Sequence, residues 1–300
     1  MRKLLLLTVF LLILAMLAGC SGAGGSVVVG AKDYTEQHIL GNILALLIEK
    51  NTNLSVSLIT DMSTDVIFAG IRTGALDVYV DYSGTIYANH ISLLAGNHDI
   101  NEAVSADEVF EVSRKALIDN YNLHMMDKLG FNNTYGIAVR ADTAAEFNLR
   151  TISDLAKVSS DFIFGGGSEI LIRSDGIPNM KIVYDMDFKD LIAMDGVDRF
   201  IAVANNEVQV AEAFSTDGAL LEFDLVVLED DKHFFLPYHA AVIIRDEVVQ
   251  EHPELTEILS RLTGLLTDDT MRNLNYLVDV QGEDPRDVAE GFLRENNLIR

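Results

Sequence analysis

Basic residues and cysteines are scarce in this 300-residue sequence. Lysine and arginine number 22 against 46 aspartates and glutamates, which gives a formal net charge of −24. A protein that binds DNA or RNA needs a basic surface for the phosphates, so we expect no nucleic-acid partner. The single cysteine leaves no intrachain disulfide and no cysteine-based zinc site. Tryptophan is absent altogether.

The motifs of common enzyme classes are also missing. The glycine-rich run at 165–168 lacks the spacing of a dinucleotide fingerprint or of a phosphate loop, and no Gly-x-Ser-x-Gly elbow occurs. His233 and His239 lie near Asp230 and Asp231, which makes a weak metal cluster conceivable, but a solvated acidic loop is the favoured interpretation. The sequence therefore offers no nucleophile, base and orienting group of the kind that hydrolysis needs.

The first twenty residues have the pattern of a targeting segment. Arg2 and Lys3 precede an apolar run at 4–17, which is short for a membrane span and typical of a signal-peptide core. The small residues before Cys20 resemble a bacterial lipobox, which implies cleavage before Cys20 and acylation of its sulfur. Residues 21–25 are predicted to form a flexible tether. We expect an extracytoplasmic protein with a lipid anchor in the cell membrane; an ordinary secretory peptide is the alternative.

Strands that alternate with helices predict an α/β architecture. Runs at 26–30, 54–59 and 76–80 indicate strands, with helical spacing between them, and Asp33 is expected to cap the first helix with Glu36 as its capping-box partner. Ligands of such sheets bind at the carboxyl ends of the strands. Further strands are predicted at 135–139, 162–164, 220–228 and 240–244, and the chain from Glu247 onward reads as nearly all helical.

A central α/β unit inserted into an outer one predicts two lobes joined by two crossovers. We place the crossovers near 131–134 and 235–239. Lobe 1 then comprises residues 26–132 and 238–300, and lobe 2 comprises residues 133–237.

Several separated blocks of the sequence carry a resemblance: Gly30–Gln37, Asp77–Thr85, Asn132–Tyr135, Phe214–Gly218, Leu225–Phe235 and the segment 275–279. Together they resemble one known family, the substrate-binding lipoproteins of osmoprotectant ABC transporters. These proteins take up glycine betaine, choline, carnitine and similar compounds. The resemblance implies a type II periplasmic-binding-protein fold with the ligand in the cleft between the lobes, and an ABC permease with its ATPase as partners.

The resemblance also implies roles for particular residues. Family members hold a quaternary ammonium group in a cage of aromatic faces, which suits a cation that has no N–H to donate. The matching positions here are Tyr82, Tyr135, Phe214 and Tyr238. The positions that match the carboxylate-binding groups are Lys32, Arg173 and Thr85. Two positions depart from the pattern: Phe214 stands where tyrosine is common, and Ile170 stands where an aromatic residue is expected.

The predicted function is therefore binding and not catalysis. Glycine betaine, proline betaine or carnitine should be preferred over choline, because choline has no carboxylate for two buried cations. We expect a monomer without cofactor or metal. The alternatives are a lipoprotein that binds choline, an amino acid or a polyamine, a secreted hydrolase of choline-type substrates that uses Asp77, Asp81 or the His233 region, and an adhesive surface lipoprotein.

Overall fold

The structure is a computed structural model that describes residues 25–91 and 105–300. The predicted signal segment and Cys20 lie outside the described residues, as does most of the tether. Within the described part, no helix has the length and apolar character needed to cross a membrane.

The amino-terminal part of the chain forms a parallel α/β unit. Its elements are β1 (Ser26–Lys32), α1 (Thr35–Asn51), β2 (Ser55–Met62), α2 (Thr64–Thr73) and β3 (Val78–Tyr82), followed by the short helix Ser83–Thr85, the π-helix Ile86–Ile91, α3 (Ala106–Tyr121) and β4 (Leu123–Asn132). Strand β1 pairs in parallel with β2 and with β3. Since β1 is almost completely buried, its run of valines packs on both sides of the sheet.

The middle of the chain forms a second unit of the same kind. Its elements are β5 (Tyr135–Arg140), α4 (Ala141–Phe147), α5 (Ile152–Ala156), β6 (Ile163–Gly166), α6 (Ser168–Ile172), α7 (Ile177–Tyr184), β7 (Asp190–Ala193), α8 (Asp198–Ala204), β8 (Val210–Phe214) and β9 (Leu225–Leu228). Strand β6 pairs in parallel with β7 and β8, whereas β5 runs antiparallel to β8 and β9.

The carboxyl-terminal part returns to the first sheet and then becomes helical. Its elements are β10 (His239–Arg245), α9 (Asp246–Glu251), α10 (Glu254–Ser260), α11 (Asp268–Asp279) and α12 (Pro285–Glu295). Strand β10 lies antiparallel between β3 and β4. The Thr267 side chain caps α11 and the Asp284 side chain caps α12, which satisfies backbone amides at the start of each helix.

The described strands thus make two five-stranded sheets, in the orders β2-β1-β3-β10-β4 and β7-β6-β8-β5-β9. Each sheet has its own apolar core, so the molecule has two lobes, and the predicted fold class is confirmed. The chain passes from the first sheet to the second after β4 and returns before β10. The exact lobe boundaries after 132 and after 237 stay a prediction.

One local prediction was wrong. The residue at the amino-terminal cap of α1 is Tyr34, not Asp33, and no side chain caps that helix. Glu36 is buried and bonds to side chains that line the space between the lobes, so it is not available as a capping-box partner. The buried hydrogen bonds of Glu36 therefore override the local preference for a capping box at this position.

Candidate functional site

A cavity of about 530 Å³ lies between the two lobes. Lobe 1 contributes the turn from β1 into α1 and the end of β3, which are carboxyl-terminal strand ends as the α/β pattern predicts. Lobe 2 contributes the start of β5, the end of β8 and the loops before α6 and α8. All seven predicted binding residues line this cavity: Lys32, Tyr82, Thr85, Tyr135, Arg173, Phe214 and Tyr238.

Three of the four predicted cage residues form one aromatic cluster. Tyr135 and Phe214 face each other across the antiparallel β5–β8 pair, and their ring centroids lie 4.8 Å apart. The Tyr238 ring meets Tyr135 edge-on, with centroids 5.2 Å apart. These separations are typical of favourable aromatic pairs. A further ring, Phe235, which is not among the predicted cage residues, stacks on Tyr135 with centroids 5.5 Å apart.

Tyr82 lines the same cavity but has different ring neighbours. Its ring packs edge-on against Phe131, with centroids 6.4 Å apart, and the Lys32 ammonium lies 5.5 Å from its centroid. Its hydroxyl donates to Glu36 Oε1 at 2.6 Å and accepts from Gln37 Nε2 at 3.1 Å. The tyrosine is therefore fixed at its polar end by two residues of the first turn of α1.

Lys32 is buried and already has an anionic partner. Its ammonium donates to Asp81 Oδ1 at 2.7 Å, and both side chains are almost fully shielded from solvent. Burial opposes ionisation of Asp81, but the charge of Lys32 and the hydrogen bonds outweigh it, so the pKa of Asp81 is lowered. Asp81 thus neutralises Lys32 inside the fold, and Asp77 accepts from the Val28 amide at 2.8 Å.

Arg173 is held by two carboxylates of its own lobe. Its Nε donates to Asp175 Oδ1 at 2.8 Å and its Nη1 donates to Glu169 Oε2 at 2.8 Å, while Nη2 donates to Asp175 Oδ2. Asp175 also accepts from the Tyr238 hydroxyl at 2.7 Å, so the arginine is linked to the aromatic cluster. A guanidinium carries five N–H groups, and three are used here, which leaves two for a ligand.

Glu169 connects the two lobes. Its carboxylate accepts from the Thr64 amide at 3.0 Å and from the Thr64 hydroxyl at 2.8 Å, at the start of α2 in lobe 1. Burial raises the pKa of Glu169, but the Thr64 amide and Arg173 more than offset this, so the pKa is lowered. Next to Glu169, Ile170 lines the cavity and packs into the core of lobe 2, at the position where an aromatic residue was expected.

A buried carboxylate, Glu36, is the main site feature that the sequence analysis missed. Its Oε1 accepts from Tyr82 and from Asn133 Nδ2 at 2.8 Å. Its Oε2 accepts from the Thr216 hydroxyl at 2.6 Å and from Asn275 Nδ2 at 3.1 Å. Thr216 follows β8 of lobe 2, so this is a second connection across the cleft. The signal was present as a glutamate inside the matching block Gly30–Gln37.

A second arginine in the cavity was also missed. Arg199 is buried and donates to Asp217 Oδ2 at 2.7 Å, to the Gly196 carbonyl at 3.0 Å and to the Glu212 carbonyl at 2.9 Å. Its guanidinium carbon lies 5.5 Å from the Phe214 ring centroid. Arg199 thereby supports the loop that follows Phe214, since Asp217 also accepts from the Phe214 amide at 2.7 Å.

The acidic loop near His233 has a structural explanation. Asp230 accepts from the amides of Phe234 and Phe235 at 3.0 and 2.8 Å, and from the Tyr184 hydroxyl. In the described part of the chain, no group of three or more histidine, cysteine, aspartate or glutamate residues could hold a metal ion. The loop therefore positions Phe235 against Tyr135.

A family described as the substrate binding domain of the ABC-type glycine betaine transport system matches residues 25–295. The chain belongs to this family. The family serves transport and is not a family of enzymes, and the binding proteins of ABC importers work outside the cytoplasm.

Individual relatives agree with this assignment. The carnitine transport binding protein OpuCC of Listeria monocytogenes is 34% identical over 293 residues, which is 94% of this chain and 92% of that protein. The ergothioneine transport permease/ergothioneine binding protein EgtU of Helicobacter pylori is 34% identical over 272 residues; they cover 90% of this chain but only 48% of EgtU. A crystal structure of a glycine betaine/carnitine/choline ABC transporter protein superposes with a TM-score of 0.73 at 31% identity, covering 91% of this chain and 99% of that one.

Proposed function

We propose that the chain captures a quaternary ammonium zwitterion, such as glycine betaine, proline betaine or carnitine, between its two lobes and delivers it to an ABC permease with its ATPase. The observation that carries this proposal is the cluster of Tyr135, Phe214 and Tyr238 on one wall of the cavity. A trimethylammonium group offers no N–H, so ring faces are its main means of recognition. Tyr82 supplies a further ring at the end of β3.

The carboxylate of the ligand would be held by Lys32, Arg173 and Thr85. Both cations have carboxylate partners, but Arg173 keeps two N–H groups and the Lys32 ammonium keeps two beyond its bond to Asp81. A ligand carboxylate can therefore add to these networks. Relatives of the chain are named for zwitterionic trimethylammonium ligands, namely carnitine and glycine betaine.

Choline is the second candidate, and one observation favours it. Because Asp81 neutralises Lys32, and Asp175 and Glu169 neutralise Arg173, a ligand without a carboxylate leaves no unpaired buried cation. The expected preference for a zwitterion over choline is therefore smaller than the sequence alone suggests.

Lipid anchoring at Cys20 and a monomeric state are part of this proposal. A single acylated cysteine at the end of a short tether would keep the binding protein beside its permease.

Isothermal titration calorimetry of the purified protein tests the proposal. Glycine betaine, carnitine and choline are titrated in turn, with putrescine as the polyamine. Saturable one-to-one binding of at least one trimethylammonium compound, without binding of putrescine, is expected. Binding of putrescine alone, or of none of the four, would contradict the proposal.

A further inference from the structure

Carboxylates at the cavity differ clearly in their surroundings. Glu36 and Asp217 line it, and Asp81 and Asp175 lie behind it as partners of the lining cations Lys32 and Arg173. Asp81 is paired with Lys32, Asp175 with Arg173, and Asp217 with Arg199. Glu36 has instead four neutral hydrogen-bond donors, namely the side chains of Tyr82, Asn133, Thr216 and Asn275. Three of these carboxylates are thus locally compensated by a cation that touches them, and Glu36 is not.

We propose that Glu36 determines the charge selectivity of the cavity: its buried carboxylate supplies the negative charge that favours a quaternary ammonium over a neutral group of the same shape. This inference rests on the proposed function and adds to it. The aromatic rings carry no net charge. A separate carboxylate therefore discriminates between ligands by their charge and not by their shape.

The position of Glu36 relative to the rings supports this role. It bonds directly to the Tyr82 hydroxyl; Asn133 precedes Tyr135 by two residues, and Thr216 follows Phe214 by two residues. One carboxylate is therefore bonded to all three chain segments that carry Tyr82, Tyr135 and Phe214. A cation among these rings is also within the field of Glu36, in surroundings where water screens charges weakly.

The bond to Tyr82 adds a second effect. A phenol that donates to a carboxylate is polarised, so its ring face becomes more electron-rich and attracts a cation more strongly. The Tyr82 oxygen accepts from Gln37, so its own proton is directed to Glu36. Glu36 thus acts on the ligand both through space and through a cage ring.

The hydrogen bonds around Glu36 suit its ionised form. Burial raises its pKa above the ordinary value, whereas the bonds from Thr216, Tyr82, Asn275 and Asn133 each lower it. The side-chain amides of Asn133 and Asn275 donate through their nitrogens, and an ionised Glu36 supplies two oxygens that accept these bonds. A bound cation would further favour the charged carboxylate.

Glu212 is the other buried carboxylate of the cavity, and it differs from Glu36. It accepts from the Gly167 amide at 2.6 Å, and burial raises its pKa, although the charges of Arg199 and Arg173 act to lower it. Its charge is therefore partly offset by two cations of its own lobe. Glu36 is influenced instead by burial and by four neutral hydrogen-bond donors, so its charge is the one that a cationic ligand would offset.

The test compares ligands that differ only in charge. Choline is paired with the neutral 3,3-dimethylbutan-1-ol, and glycine betaine with the anion 3,3-dimethylbutanoate, so that an uncharged carbon replaces the charged nitrogen in each pair. Dissociation constants are measured by calorimetry for the ammonium compounds and by competition for the carbon analogues. Glu36→Gln should weaken binding of the ammonium compound by about tenfold or more, the order expected for loss of one unit charge at an effective dielectric near 20. It should leave binding of the neutral alcohol nearly unchanged and should not weaken binding of the anion.

Two further variants separate charge from structure. Thr216→Val removes a hydrogen bond to Glu36 but keeps the charge, so it should weaken both members of a pair alike. The double variant Glu36→Gln/Asn275→Asp exchanges the carboxylate and the amide of one hydrogen-bonded pair. A carboxylate therefore remains at this place, and the preference for the cation should be restored. This double variant also covers the case in which Glu36→Gln alone does not fold.

The outcomes distinguish this inference from the proposed function. If Glu36→Gln weakens binding of the ammonium compound and its carbon analogue equally, or no more than Thr216→Val does, Glu36 only supports the structure and the inference is overturned. The same holds if the double variant folds without regaining selectivity. If the unmodified protein binds no trimethylammonium compound at all, the proposed function fails and takes this inference with it.

Discussion

Removing the Tyr135 ring should weaken ligand binding. Tyr135 is the centre of the aromatic cluster, because its ring touches those of Phe214, Tyr238 and Phe235. A desolvated cation–π contact contributes about 0.5–2 kcal/mol, so loss of this one face by Tyr135→Ala corresponds to roughly a two- to thirtyfold weaker binding. The three neighbouring rings also lose their packing partner, which places the expected loss toward the upper end of that range.

Calorimetry with glycine betaine, or with choline if choline binds more tightly, measures this effect. Tyr135→Phe is the matched control, since it keeps the ring face and its neighbours and should bind within about threefold of the unmodified protein. Thermal unfolding of both variants shows whether the lobes remain intact. If Tyr135→Ala folds and binds with unchanged affinity, the aromatic cluster is not the ammonium site and the reasoning is refuted.

Three other predictions follow from the same geometry. Tyr82→Ala should weaken binding at least about tenfold while the protein stays folded, and unchanged affinity in calorimetry would remove Tyr82 from the cage. Glu169→Gln weakens the bonds to Thr64 that join the lobes, so small-angle scattering should show a less compact ligand-free protein; identical profiles would argue against this contact as a closing device. The pKa of Asp81 is lowered, so its contribution to stability is present above about pH 4 and lost as the pH falls through its folded pKa. Lys32→Met should flatten that acid limb in thermal unfolding, and an unaltered limb would show that the pair does not contribute.

The alternation of strands and helices made much of the fold predictable. Strands β1, β2, β3, β5 and β10 lie within a few residues of the predicted positions, because buried β-branched runs and glycine boundaries are local signals. The prediction of a strand over 220–228 was less accurate, since only Leu225–Leu228 is a strand and Gly218–Leu221 is a 3₁₀ turn. Aromatic and apolar residues occur in both kinds of segment there, so composition could not separate them.

The candidate site was predictable in its residue types but not in its pairings. All seven predicted residues line one cavity, and five of them lie inside the matching blocks, so the blocks carry positional information. Which aromatic rings touch depends on register: Tyr135 meets Phe214 because β5 and β8 are antiparallel and pair at those two residues. Phe235 reaches the cluster through a loop whose shape is set by hydrogen bonds to Asp230, and no spacing rule encodes that contact.

The carboxylates that pair with Lys32 and Arg173 depend on the tertiary fold, and they determine the electrostatics of the site. Lys32 and Asp81 are 49 residues apart, yet they lie at the ends of strands β1 and β3, which neighbour each other in the sheet. From the sequence alone, Lys32 and Arg173 are two cations without known partners, which predicts a carboxylate on the ligand. In the fold, both are neutralised by carboxylates, and Glu36 is a buried carboxylate of the cavity that only neutral donors contact. The electrostatic requirement of the site therefore shifts from an anionic group on the ligand to a cationic one, which a trimethylammonium compound satisfies whether or not it also carries a carboxylate.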